Sequence, residues 1–178
     1  MDDQPHSQRA PVGPIPTTDT ALLGIYLNDH LAGATAGVER ARSLARAFRG
    51  SVSATALRPI AQEIAEDRAS LLLIMRTLGI PVRRYKVCLG WASEKTGRLK
   101  SNGRLVRRSP LSSLVELELL RIGVVGKAAG WQTLRQLAES DGRLDARLLD
   151  ELLERAMRQQ TTLEELRRRQ VEETFRQP

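Results

Sequence analysis

The chain predicts an all-α fold: a four-helix bundle of two antiparallel hairpins joined by a long crossover that bears a short extra helix. Three observations predict it. Apolar residues recur in alternating steps of three and four along four long stretches, which is the period of a helix with one buried face. Aromatic residues make up only 3% of a sequence that is 41% hydrophobic, so the core must be built from Leu, Ile, Val and Ala, as helical bundles commonly are. The stretches are also grouped in pairs, with a few residues between partners and a crossover over residues 79–109 between the pairs, and short links make antiparallel neighbours.

Residues 1–17 carry Pro5, Pro11, Pro14 and Pro16 with little to bury, and predict a flexible N-terminal tail. The remainder, 18–176, is predicted to be a single helical-bundle domain, because 178 residues suffice for one sizeable core. In the first helix Leu23, Leu27, His30, Ala34, Gly37, Ala41, Leu44 and Phe48 form a seam, which Gly50 ends. Ser51, Ser53 and Thr55 are cap candidates for the second helix. Its seam runs Ile60, Ile64, Asp67, Leu71, Ile74 or Met75, and Leu78, and Gly79 and Pro81 stop it. In the crossover a short helix is expected over Val82–Thr96, followed by a Gly-rich basic loop over Gly97–Ser109.

Ser109-Pro110 suits the N-cap and first position of a third helix. Leu114, Leu117, Leu120, Val124, Ala128, Trp131 and Leu134 form one stripe on it, and Leu119, Ile122, Gly126 and Leu137 form a second stripe opposite. A helix apolar on both sides is expected to be surrounded. Gly123, Gly126 and Gly130 would each cost roughly 1 kcal/mol against Ala in an exposed helix, so they predict close approach by a neighbouring helix. Ser140-Asp141-Gly142 breaks this helix. The last one is expected from about Leu144 to Phe175, with Leu148, Leu152, Ala156, Gln159, Leu163 and Leu166 inward.

Charge and cysteine narrow the functional classes. The 28 basic and 21 acidic residues leave +7, and the basicity is local. Nine basic residues against Glu94 alone lie between Arg83 and Arg108, which gives that window +8. Cys88 is the only cysteine, which excludes an internal disulfide framework and fits a reducing, cytoplasmic compartment. The start of the chain does not read as a secretory signal, and no run approaches the roughly 18 apolar residues of a membrane span. No membrane insertion is expected. Ser109, Ser112, Ser113 and Cys88 have no histidine within sequence reach, which argues against a conventional hydrolase.

Two hairpins joined by a long crossover, together with the stretch Tyr26-Leu27-Asn28-Asp29-His30-Leu31-Ala32-Gly33, resemble the ferritin-like superfamily and, more loosely, an uncharacterised actinobacterial group of such proteins. The resemblance covers about residues 18 to 175. It implies parallel second and third helices. It also implies a di-iron centre made from one Glu on each of two helices and Glu-x-x-His on each of the other two. The chain departs from that pattern. Glu63-Ile64-Ala65-Glu66 and Glu151-Leu152-Leu153-Glu154 lack the histidine, the only histidines are His6 and His30, and Glu116 and Glu118 flank their helix's seam. The expected function is therefore a non-enzymatic ferritin-like bundle, a structural or interaction module without cofactor.

Two alternatives stand beside it. One is a metal-binding or oxidoreductase bundle holding iron or manganese with His30, Glu63, Asp67 and Glu118. The other is binding of nucleic acid or another polyanion, or of an acidic partner, through Arg98, Lys100, Arg104, Arg107 and Arg108. Only Tyr85 and Trp91 are available there for base stacking. His30 reads as a packed core histidine level with Met75 and Trp131, or as a ligand or proton carrier. Asp67 needs a partner if buried, and the level count selects Arg121, with Gln159 nearby. The glycine-lined second face of the third helix could serve the crossover helix or, in a homodimer, a second subunit equally well.

Overall fold

The computed structural model describes residues 18–83 and 109–176. These contain four α-helices and no strand: α1 Thr20–Ala47, α2 Ser53–Thr77, α3 Pro110–Leu137 and α4 Ala146–Phe175. The N-terminal tail, the crossover helix except at its start, Cys88, Trp91 and the five candidate polyanion-binding residues lie outside the described residues. α1 packs on α2, α3 on α4, and α1 on α3, with a lighter contact between α2 and α4. Buried apolar side chains from all four helices form one continuous cluster. Among the described residues no helix is long and apolar enough to cross a membrane.

Local chemistry explains the helix ends. The Asp19 carboxylate accepts from the backbone N–H of Ala21 and Leu22 and starts α1, and Asp145 does the same for α4 through Arg147 and Leu148, satisfying donors that a helix start leaves open. Gly50 (φ +86°) and Gly79 (φ +70°) follow α1 and α2 in the left-handed region that glycine enters freely. Ser109 and Pro110 take the expected N-cap and first-turn places of α3, whereas none of Ser51, Ser53 and Thr55 caps α2. α2 begins after Val52, and α3 begins after Ser109 without a side-chain bond. The hydroxyls of Ser51 and Thr55 donate instead to the carbonyls of Phe48 and Val52.

Every seam residue expected on α2 is buried, and so is the whole first stripe of α3. The second stripe of α3 is mostly not: Leu119, Gly126 and Ile122, the last 64% exposed, stay open, and only Leu137 is half-buried against the core. Among the described residues, the expectation that α3 is surrounded is therefore not met. Among the described residues, packing on α1 and α4 covers one face, and the exposed positions from Leu111 to Gln132 hold no charged residue. Of the glycines expected to mark a close approach, only Gly130 does so. A Cβ there would lie 3.0 Å from the His30 ring, whereas Cβ atoms at Gly123 and Gly126 would meet nothing within 4 Å among the described residues.

Asn28 pins the end of the first hairpin. Its amide nitrogen donates to the carbonyls of Gly24 (2.8 Å) and Pro81 (3.1 Å), and its oxygen accepts from the Arg83 N–H at 2.7 Å. The side chain is fully buried, so truncation strands backbone groups that are costly to leave unpaired. Asn28→Ala should lower stability by about 2–3 kcal/mol in urea denaturation, while Ser109→Ala, at a cap without a side-chain bond, should change it by less than about 0.5 kcal/mol. Equal effects would mean that Asn28 does not hold the chain at residues 81–83.

Candidate functional site

A cavity of about 540 Å³ lies between α1 and α3 and reaches α2 at its floor. Small residues create it: Gly33, Ala34 and Gly37 on α1 face Gly123, Gly126 and Gly130 on α3, so the two helices leave a gap that larger side chains would fill. The walls are predominantly apolar. The polar groups that line it include His30, Asp67, Lys127 and Trp131, an arrangement of the size and character that small-molecule sites have.

His30 closes one end. Its ring packs edge-on against Tyr26, with centroids 4.4 Å apart, and lies against the bare Gly130 backbone. The Tyr26 hydroxyl shares a 3.1 Å hydrogen bond with Thr133 Oγ1. Burial pushes the imidazole pKa down from 6.5, and Asp29 offsets this only in part, because a half-buried ring solvates its charged form poorly. The contact with Gly130 puts His30 next to Trp131 in level, as the helix count expects. Trp131 is 3% exposed, and its indole N–H has no acceptor among the described residues.

At the floor sits a buried charge network. Asp67, 2% exposed, receives Lys127 Nζ on one oxygen and Arg155 Nη1 at 3.1 Å on the other. Gln159 bridges: its oxygen accepts from Lys127, and its nitrogen donates to Glu63 at 2.8 Å and, more loosely, to Asp67 at 3.5 Å. Glu66 meets Arg155 at 3.3 Å. Burial lowers the Lys127 pKa, and Asp67 opposes that shift. Three carboxylates thus share two cations, and the buried lone pairs of Asp67 are satisfied.

The expected Asp67–Arg121 pair is therefore corrected. Arg121 meets Glu164 of α4 at 3.2 Å. It lies six residues before Lys127, about 9 Å along the axis and about 120° around it, so it stands on the flank that faces α4. Lys127 stands on the flank that faces the cavity, and its four-carbon stem reaches across to Asp67. Gln159 is at the level expected for it.

The sequence-selected metal candidates are only partly brought together. Glu63 and Asp67 share the network, His30 and Asp67 line the same cavity, and Glu118 lies toward the other end against Arg167 at 3.8 Å. Among the described residues no group of three His, Cys, Asp or Glu side chains is arranged to hold a metal ion. Arg155 and Lys127 were missed as site residues, although each is a basic residue beside an apolar seam. No protein-family model matches the chain, and no curated protein or solved structure matches it either.

Two outcomes check this site. In a double-mutant cycle, Asp67→Leu and Lys127→Leu should each cost about 3–5 kcal/mol and the double variant far less. Arg121→Leu should cost at most about 1 kcal/mol and add independently to Asp67→Leu. Coupling of Asp67 to Arg121 instead would contradict the pairing. The second outcome concerns pH. With the folded His30 pKa below 6.5, the unfolded chain binds more protons below that pH. The His30 penalty is absent above about pH 6.5 and grows as pH falls through the window beneath it. Denaturation from about pH 7.5 to about pH 5 should show a shallower loss of stability in His30→Gln. An unchanged slope would assign the acid sensitivity to other groups.

Proposed function

We propose that the chain is a non-enzymatic ferritin-like bundle acting as an interaction module, without a metal cofactor. The observation that carries this reading is the neutralisation of the central carboxylates by side chains. In the di-iron members, inward carboxylates and histidines are balanced by metal charge. Here Lys127 and Arg155 supply positive charge at Asp67, and Gln159 occupies Glu63. Donors already engaged by an ammonium, a guanidinium and an amide are a poor set for iron or manganese, and His30 faces Tyr26 and Gly130 rather than this cluster.

The levels of the contacts support the ferritin-like arrangement. On α1 and α3, Tyr26 meets Thr133 and His30 meets Gly130. On α3 and α4, Arg121 meets Glu164, Lys127 meets Gln159 and Arg135 meets Asp150. On α2 and α4, Glu63 meets Gln159 and Asp67 meets Arg155. In each pair one residue number rises as the other falls, as expected of antiparallel neighbours. On α1 and α2 the contact of Thr35 with Arg68, and just past the end of α2 that of Asn28 with Pro81, agree. We read this order as parallel α2 and α3 across the diagonal.

The uncharged outer face of α3 supports the interaction half of the reading, since contiguous exposed apolar surface marks contact sites. A cytoplasmic location belongs to the same proposal and rests on the single cysteine. Elemental analysis of protein purified without added metal tests it. The expected result is no stoichiometric iron, manganese or zinc. Stoichiometric metal that disappears in His30→Ala would overturn it.

A further inference from the structure

The chain leaves α2 on a path that carries it onto α1. Ile80 lies beside Gly24, and the Asn28 side chain holds both Pro81 and Arg83. The chain re-enters the described residues at Ser109, the N-cap of α3. On α3, Gly130 lies against His30 and Thr133 against Tyr26, so each step forward along α3 is one step back along α1. Ser109 therefore falls level with about residue 50, and from Asn28 to that level is about 33 Å at 1.5 Å per residue. Residues 84–108 must travel that length, and even wholly helical they reach about 38 Å. The level of Ser109 rests on the antiparallel order of α1 and α3 proposed above.

The groove between α1 and α3 lies along that path. Among the described residues nothing stands within 4 Å of where a Cβ would be at Gly33, Gly123 or Gly126, so a third helix can approach these walls closely. Leu119 lines the same opening and is exposed, and Leu22 and Ile25 are exposed on the face of α1 that continues to Asp29 and Gly33. Within α2 and α4 the exposed large apolar side chains are Leu73, Met157 and Phe175 alone, so the apolar surface still open lies mostly on the α1–α3 side.

The crossover sequence matches this groove in two respects. In the helix expected over 82–96, Tyr85, Cys88, Leu89 and Ala92 share one side, and Lys86, Gly90 and Glu94 lie away from it. The run 87–93, Val-Cys-Leu-Gly-Trp-Ala-Ser, holds no charge. Counted from Arg83 beside Asn28, that run comes level with about residues 32–38 of α1 and 122–128 of α3, where the exposed positions of α3 are likewise uncharged. We propose that residues 84–108 seat lengthwise in the groove between α1 and α3, with Tyr85, Cys88, Leu89 and Ala92 against the glycine-lined walls. The occupant of the groove is thus the chain's own crossover, not a second copy or a small molecule.

Cys88, the only cysteine, makes the test direct. Gly33→Cys, Gly123→Cys and Gly126→Cys are each introduced into the full chain, oxidised and mapped by mass spectrometry. The expected result is an internal disulfide to Cys88 in at least one of the three, and none in Met157→Cys, an exposed position of α4. In the unaltered chain the Cys88 thiol should react with dithionitrobenzoate at least roughly tenfold more slowly than in urea. In a Cys88→Ser background, Arg46→Cys with Ser112→Cys reports the order of α1 and α3 alone, joined by a short bismaleimide only if α3 starts beside the end of α1. If that pair joins while no groove variant reaches Cys88, the docking is overturned and the helix order stands. If that pair does not join, the helix order fails and the inference falls with it. A disulfide formed as readily from Met157→Cys, or a Cys88 thiol as reactive in the folded chain as in urea, also overturns the docking.

Discussion

The carboxylate of Asp67 is the constraint on which the centre of the molecule depends. Burying an ion costs several kcal/mol, and attraction to one opposite charge about 4 Å away returns only about 4 kcal/mol at an effective dielectric of 20. One partner leaves little or no surplus. Asp67 has two, Lys127 from α3 and Arg155 from α4, while Gln159 links Lys127 to Glu63. The consequence is specificity more than raw stability. Sliding α3 or α4 by one turn would strand a charge in the core, whereas the surrounding leucine layers could slide at lower cost.

That network and the cavity above it are two results of one sequence choice. On its cavity-facing flank α3 carries Gly123, Gly126 and Gly130, and Lys127 stands among them. The glycines keep the walls apart, and the lysine reaches across the space they leave to α2. On the opposite flank Arg121 closes against Glu164, where Arg167 and Arg168 hold the Glu164 carboxyl down at about 2. One side of α3 is thus sealed against α4 and the other is open toward α1. The outer face, at Leu111, Val115, Ile122 and Val125, belongs to neither and remains apolar and exposed among the described residues.

Much of the architecture was legible before any coordinates. The seams of α2 and the inner stripe of α3 follow directly from helical period, and Gly50 and Gly79 from the backbone conformation that ends a helix. Burial of Asp67 and Gln159 also followed from their places on a seam. The partner of Asp67 did not. Arg121 and Lys127 flank the same stripe on opposite sides, and period alone does not say which flank meets which neighbour. The outer face of α3 was misread for a related reason. Apolar residues on both sides of a helix show that surface can be buried, not that this chain buries it. The cavity was hidden because it is made of what is missing, side chains at glycines.

Direct observation of the Lys127 ammonium by nitrogen-detected NMR bears most closely on this account. A lysine buried against Asp67 and Gln159 should show slowly exchanging ammonium protons at neutral pH, a correlation to the Asp67 carboxyl carbon, and a titration below its usual 10.5 because burial disfavours the charged form. A rapidly exchanging ammonium with an unshifted titration and no correlation to Asp67 would place Lys127 in solvent. The charge network could not then be the centre on which the four helices are set.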